Sequence, residues 1–233
     1  MNNINKIFII NLEKCNDRKK HMEEEMNIHK INNYEFIKAN TINDDIVLKN
    51  IYNIKDLNGK NLFITKLANW YSIINLMKKI INEDIKGLIC ILEDDVKFIP
   101  KFSDIINNLI NKNFLNNMSN EEPIYIKLTN GFESPKLANI YNKKIDVNIS
   151  NHNLIICNNE KEISNPGCII NKKYAEYFIN SINKIKNHGP SDIFLINNIF
   201  NKIKTYKIFP WILYELSSCG KLSKFKSVIR NKN

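Results

Sequence analysis

Two short runs constrain the fold more than anything else in the chain: IFIINL (Ile7–Leu12) and GLICIL (Gly87–Leu92). Each is mostly apolar, rich in isoleucine and followed by polar residues. Runs of this length are too short for a buried helix. Without a polar alternation they read as strands covered on both faces, as in a largely parallel sheet sandwiched by helices. The intervening segments supply the helices. DRKKHMEEEMNIHK, with Asn16 or Asp17 as its cap, and LFITKLANWYSIINLMKKII (Leu62–Ile81) both carry helical spacing. YEFIKA (Tyr34–Ala39) is expected to be a second strand, and residues 40–60, which lack a period and contain Gly59, a loop.

Beyond Pro100 the pattern continues less regularly. FSDIINNLINKNFL predicts a helix and PIYIKL (Pro123–Leu128) a strand. The Asn- and Lys-rich residues 129–152 predict loops with a short strand. NLIIC (Asn153–Cys157) and CII (Cys168–Ile170) predict strands about a polar turn. NKKYAEYFINSINKI and SDIFLINNIFNKI, the latter opened by Pro190, predict helices, and TYKIFP (Thr205–Pro210) a late strand. The expectation is an α/β sandwich with one mixed, mostly parallel sheet flanked by helices. One domain over residues 1–220 would be followed by a basic tail, residues 221–233.

The run GLICIL enters three consecutive carboxylates, Glu93, Asp94 and Asp95, before Val96 and Phe98 resume the apolar pattern. A solvated acidic turn would end a strand in the same way. In open α/β sheets, however, ligands bind outside the carboxyl ends of the strands. On an extended chain Glu93 and Asp95 would project to one side and Asp94 to the other. Two carboxylates side by side repel unless a cation lies between them. A hard divalent ion with oxygen ligands relieves that repulsion and can also hold a diphosphate leaving group.

Composition narrows the alternatives. The net charge of +10 would suit a polyanion or a phosphate-bearing ligand, but the lysines are scattered along the chain. No nucleic-acid partner is therefore expected. The joint abundance of Asn, Ile and Lys resembles the codon bias of an AT-rich genome, such as that of a giant virus or a low-GC bacterium. No apolar run is long enough to span a membrane, and the N-terminus lacks the plan of a signal peptide, so a cytoplasmic location is expected. The five cysteines are odd in number and form no CxxC pair, which suits a reducing compartment without structural zinc.

Several ordered blocks then resemble glycosyltransferase family 25. IFIINLEKCNDRKKHMEEE is similar to the family's opening segment through Ile10, Asn11, Leu12, Asp17, Arg18 and Met22. ICILEDDVKF is similar to its LEDDV block, and IYIKL to a strand ending in Lys127 and Leu128. NPGCIINKKYAEYFI, SDIFL with Asp192 and Leu195, and IFPWILYE with Pro210 resemble its later blocks. One departure is plain: Thr65 and Lys66 stand where the family often has Ser-His, although Trp70 of the same helix is present.

The resemblance implies a GT-A-like nucleotide-diphospho-sugar transferase fold, a UDP-sugar donor, a glycan or hydroxylysine-bearing protein acceptor, and Mn²⁺ or another divalent ion. Glu93 and Asp95 would be the metal carboxylates. Asn11, Leu12, Arg18, Lys66, Asp94 and Lys127 would line the nucleotide-sugar site, with Arg18 either pairing with phosphate or bracing the acidic strand. Asp192 would be the general base, taking the proton of the attacking hydroxyl, with Glu215 a second candidate. Asp192 also suits a first-turn helix residue, and Trp70 and Trp211 suit either sugar stacking or the core. His188 is either a metal ligand or solvated. The alternative to an enzyme is a non-catalytic member of the same fold that binds a nucleotide-sugar or glycan.

Overall fold

In the computed structural model, the described residues are 4–50, 53–111, 122–130, 133–141, 147–157, 166–185, 187–200, 202–218 and 225. The first half alternates as expected. Strand β1 (Ile4–Asn11) leads into helix α1 (Asn16–Ile28), strand β2 (Tyr34–Lys38), a short helix α2 (Asp45–Lys49), the long helix α3 (Ile64–Asn82) and strand β3 (Leu88–Glu93). Helix α2 lies in the stretch expected to be a loop. Its five residues are too few for a period to show, and the Asp44 carboxylate fixes the preceding turn by accepting from the Thr41 amide and hydroxyl. Helix α1 is entered through Cys15, whose side chain caps nothing, and not through Asn16 or Asp17.

The second half contains β4 (Val96–Phe98), α4 (Phe102–Leu109), β5 (Tyr125–Lys127), α5 (Ser134–Tyr141), β6 (Asn153–Ile156), β7 (Gly167–Ile170), α6 (Lys172–Lys184), α7 (Ser191–Leu195), β8 (Thr205–Phe209) and β9 (Leu213–Glu215). A helix, α5, and a short 3-10 turn (Ile149–Asn151) occupy the region expected to hold loops and a strand. Helix α7 continues into a π-helical turn over Ile196–Phe200. The end of the segment expected to extend α4 lies outside the described residues, as does the basic tail except Phe225.

Among the described residues the main sheet has seven strands in the order β2-β1-β3-β7-β5-β8-β6. Strands β2, β1, β3, β5 and β8 run one way, while β7 and β6 oppose them. This is the mixed, mostly parallel sheet expected of an α/β sandwich. Strand β3 is central, and alternate side chains feed two cores. Cys90 and Leu92 pack with Ile7, Ile9, Met22, Met26 and α4. Ile89 and Ile91 pack with Phe8, the buried face of α3, Phe178 and Phe194. Burial on both faces is why GLICIL shows no polar alternation.

Beyond β3 the chain turns, and β4 leaves the main sheet to pair antiparallel with β9, placing Val96 opposite Glu215 and Phe98 opposite Leu213. This two-stranded ribbon places Leu213–Glu215 beside the turn that follows β3. Gly167 at the start of β7 makes room for it: a Cβ there would lie 2.9 Å from one methyl of Leu213 and 3.1 Å from one of Leu92.

Candidate active site

The carboxyl end of β3 delivers the acidic residues, but the strand stops at Glu93. Asp94 and Asp95 form the turn into β4, so the expected strict alternation ends there. Asp94 and Asp95 consequently share one cation. Arg18 Nη1 donates to Asp94 Oδ1 at 2.7 Å and lies 3.3 Å from Asp95 Oδ2. Asn11, the last residue of β1, donates from Nδ2 to Asp94 Oδ2 at 2.8 Å. All four side chains are buried. Arg18 therefore braces the acidic strand, and Asp94 is spent on Asn11 and Arg18.

Arg18 is the first of three residues on one face of α1 that hold this segment. Spacings of three, four and seven residues align side chains on a helix. His21 Nε2 lies 2.8 Å from the Val96 carbonyl, and Glu25 Oε2 accepts from the Phe98 amide at 3.0 Å. Strand β4 is thus bonded on one edge by β9 and on the other by side chains of α1. A buried polar stripe of this kind keeps the mean apolar signal of the helix low while fixing its partner segment.

Glu215 arrives from β9. Its amide donates to Ser134 Oγ at 2.9 Å, and its carboxylate accepts from Ser217 Oγ at 2.6 Å. The Leu216 amide donates to the Asp95 carbonyl at 2.8 Å, tying the ribbon to the turn. Burial, then the neighbouring Glu215, pushes the Asp95 carboxyl up to about 6 against the pull of Arg18. Burial, followed by Asp95 and Glu215, raises Glu93 well above the usual carboxylate range. Asp95 Oδ1 is buried without a hydrogen-bond partner.

These observations fit a divalent ion. An orphaned carboxylate oxygen and three crowded carboxyl groups beside one guanidinium are what a hard cation would relieve. Among the described residues no three His, Cys, Asp or Glu side chains converge to cage an ion by themselves. Ions that keep waters and substrate phosphates need only one or two protein carboxylates. Glu93 and Asp95 are the residues that would hold it.

The remaining candidates lie around this centre. Helix α3 returns across the sheet between β2 and β3. Ser72 Oγ accepts from the Asn40 amide at 2.7 Å just beyond the end of β2, so the turns before Ser72 stand above the carboxyl edge. Lys66 is in the first of them, its Nζ 5.9 Å from the Phe63 ring. Asp192 lies in the first turn of α7, where Oδ1 accepts from the Ile193 amide at 2.9 Å. Helix α7 is held to α3 by Ser191 Oγ donating to Asn69 Oδ1 and by Trp70 Nε1 donating to the Gly189 carbonyl. Leu12 is half-buried after β1, its carbonyl accepting from the Cys15 amide. Lys127 is fully buried at the end of β5, opposite Cys168 and Lys207 in register. The structure thus brings together Asn11, Arg18, Glu93, Asp94, Asp95 and Glu215; among the described residues Asp192 and Lys66 make no hydrogen bond or ion pair to that group.

Three further expectations are settled by burial. Trp70 is fully buried and packs on Phe178 and Phe194, and Trp211 is 2% exposed, so neither offers a face to a sugar. His188 is buried between Trp70 and Phe194 with Nε2 3.1 Å from the Ile182 carbonyl, a core histidine and neither solvated nor a ligand. Sequence reading missed His21, Glu25 and Ser217. The i, i+3, i+7 spacing of Arg18, His21 and Glu25 was the signal available for the first two.

No curated protein matches the sequence significantly. Among solved structures, the chain is similar to a glycosyltransferase involved in the glycosylation of the major capsid of PBCV-1, at 11% identity over 93% of this chain and 97% of that one, with a TM-score of 0.46. It is also similar to mouse xyloside xylosyltransferase 1, at 9% identity over 85% of this chain and 62% of that one, with a TM-score of 0.31. Among the described residues no helix is long and apolar enough to cross a membrane. The sequence profile of glycosyltransferase family 25 (LPS biosynthesis protein) matches residues 4–195, which include β1, α1 and the whole acidic turn, and the chain therefore belongs to glycosyltransferase family 25.

Proposed function

We propose that the chain transfers a hexose from a UDP-sugar to a hydroxyl of a glycan or hydroxylysine-bearing protein acceptor, with a divalent ion such as Mn²⁺ held by Glu93 and Asp95. The observation that carries this reading is the orphaned Asp95 Oδ1 within a crowded carboxylate group at the carboxyl edge of a family 25 sheet. The ion, when bound, would supply positive charge to the departing diphosphate. Arg18 holds Asp94 and Asp95 in place, and Asn11 fixes the outer oxygen of Asp94. Glu215 lines the same centre, and Asp192, above the carboxyl edge on α7, accepts the proton of the acceptor hydroxyl as it attacks the sugar.

The test is a panel of UDP-sugars scored for hydrolysis and transfer with Mn²⁺ and with EDTA. Turnover of at least one donor that EDTA abolishes is expected. Turnover insensitive to EDTA would remove the ion from the reading. Donor binding without turnover on any acceptor would leave the non-catalytic member suggested by Thr65 and Lys66.

A further inference from the structure

Two of the three side chains of α1 that hold the acidic turn and β4, Arg18 and His21, meet one aromatic ring. Phe225, far along the chain from α1, is 6% exposed. Its ring centroid lies 5.4 Å from the Arg18 guanidinium carbon. The same ring meets the His21 imidazole edge-on, at 5.4 Å between centroids and 63° between planes. One aromatic side chain thus touches Arg18, which pairs with Asp94 and Asp95, and His21, which meets the Val96 carbonyl.

This arrangement has a physical consequence for Arg18. Its guanidinium is asked to serve two carboxylates from one nitrogen, at 2.7 Å and 3.3 Å. A long side chain in that position has rotamers that would favour one partner and release the other. A ring against the guanidinium removes those rotamers and adds a cation–π attraction, which is stronger for a desolvated pair. The edge contact with His21 likewise holds the imidazole plane toward the Val96 carbonyl. We propose that Phe225 is a positioning residue of the site: through Arg18 and His21 it sets the placement of the carboxylates that bind the ion. This proposal rests on the functional reading above.

The experiment uses the full chain with Phe225→Ala and Phe225→Tyr. Two readouts are taken below the melting temperature of each variant. The first is affinity for Mn²⁺ alone, by calorimetry. Phe225→Ala is expected to weaken it by roughly threefold to thirtyfold, the range a cation–π contact spans, and Phe225→Tyr to restore it. The second is rotation of the Arg18 guanidinium, followed through its Nη resonances by nuclear magnetic resonance. Two resolved resonances are expected in the unaltered protein and a single averaged one in Phe225→Ala. If Phe225→Ala lowers the melting temperature but leaves Mn²⁺ affinity and the Arg18 resonances unchanged, Phe225 is packing only and the proposal fails. If the unaltered protein binds Mn²⁺ neither alone nor with UDP, the functional reading fails. The Arg18 resonances then still decide whether Phe225 positions the guanidinium.

Discussion

Replacing Arg18 with methionine tests how the acidic turn is balanced. The arginine is 8% exposed and carries the positive charge nearest Asp94 and Asp95. Methionine keeps much of its volume, so the loss is chiefly electrostatic. Breaking a buried ion pair by removing one partner costs about 3–5 kcal/mol, because the remaining charge is buried without compensation. For a chain of this size that corresponds to a fall in melting temperature of roughly 6–20 °C. The pH dependence separates this cause from lost packing. Without Arg18 the Asp95 carboxyl, already raised by burial, loses the cation that lowers it and rises further above its unfolded value. The destabilisation is therefore complete above the folded value and fades as pH falls toward the unfolded range near ~4. Urea unfolding of both proteins with EDTA, at pH ~8 and pH ~4.5, makes the comparison. A loss below about 1 kcal/mol at the higher pH, or an equal loss at both, would refute the account of Arg18 as the counter-charge.

Further expectations concern individual groups. In the metal-free protein the Asp95 carboxyl, raised to about 6, favours the protonated folded state. Stability should thus rise by about 1.4 kcal/mol from this group as pH falls from ~7.5 to ~5, and added Mn²⁺ should reverse the trend; a urea midpoint that drops as the pH is lowered over this range argues against it. Asp192→Asn should keep UDP and Mn²⁺ affinity and lose transfer by at least about a hundredfold, measured by calorimetry and turnover; a parallel fall in affinity would make it a ligand instead. Gly167→Val should cost about 1–3 kcal/mol through overpacking against Leu213 and Leu92, read from the denaturation midpoint, and a neutral result would show that the ribbon β4–β9 shifts freely.

Much of the fold's first half was legible because its signals are local. GLICIL and IFIINL sit in the doubly covered centre of the sheet, and α3 shows its buried face over nearly its whole length. The acidic triplet was legible as the end of a strand. What it bonds to was not, since Arg18 and Asp94 are 76 residues apart and the turn at Asp94 breaks the alternation assumed for an extended chain. Strand β9 is three residues long, too short for any period, and only its pairing with β4 makes Glu215 a neighbour of Asp95. Helix α5 was hidden by the Asn and Lys around it, residues whose abundance says little about local structure. Lys127 stood as a donor-site residue on the resemblance of its block alone, and nothing local in the sequence signals that it is fully buried.

The β4–β9 ribbon also governs the order in which the molecule can assemble. Strands β1 and β2 are separated by helix α1 alone and can pair early. Closing the ribbon means joining Val96 to Glu215 across more than a hundred intervening residues, a contact of high sequence separation whose loop-closure entropy must be met before it yields any stability. Until β9 docks, the outer edge of β4 has no strand beside it, and Asp95 has neither the Leu216 amide nor Ser217 nearby. The candidate site is consequently among the last parts of the molecule to form and among the first to open, and slow amide exchange at Leu216 would report the assembled state.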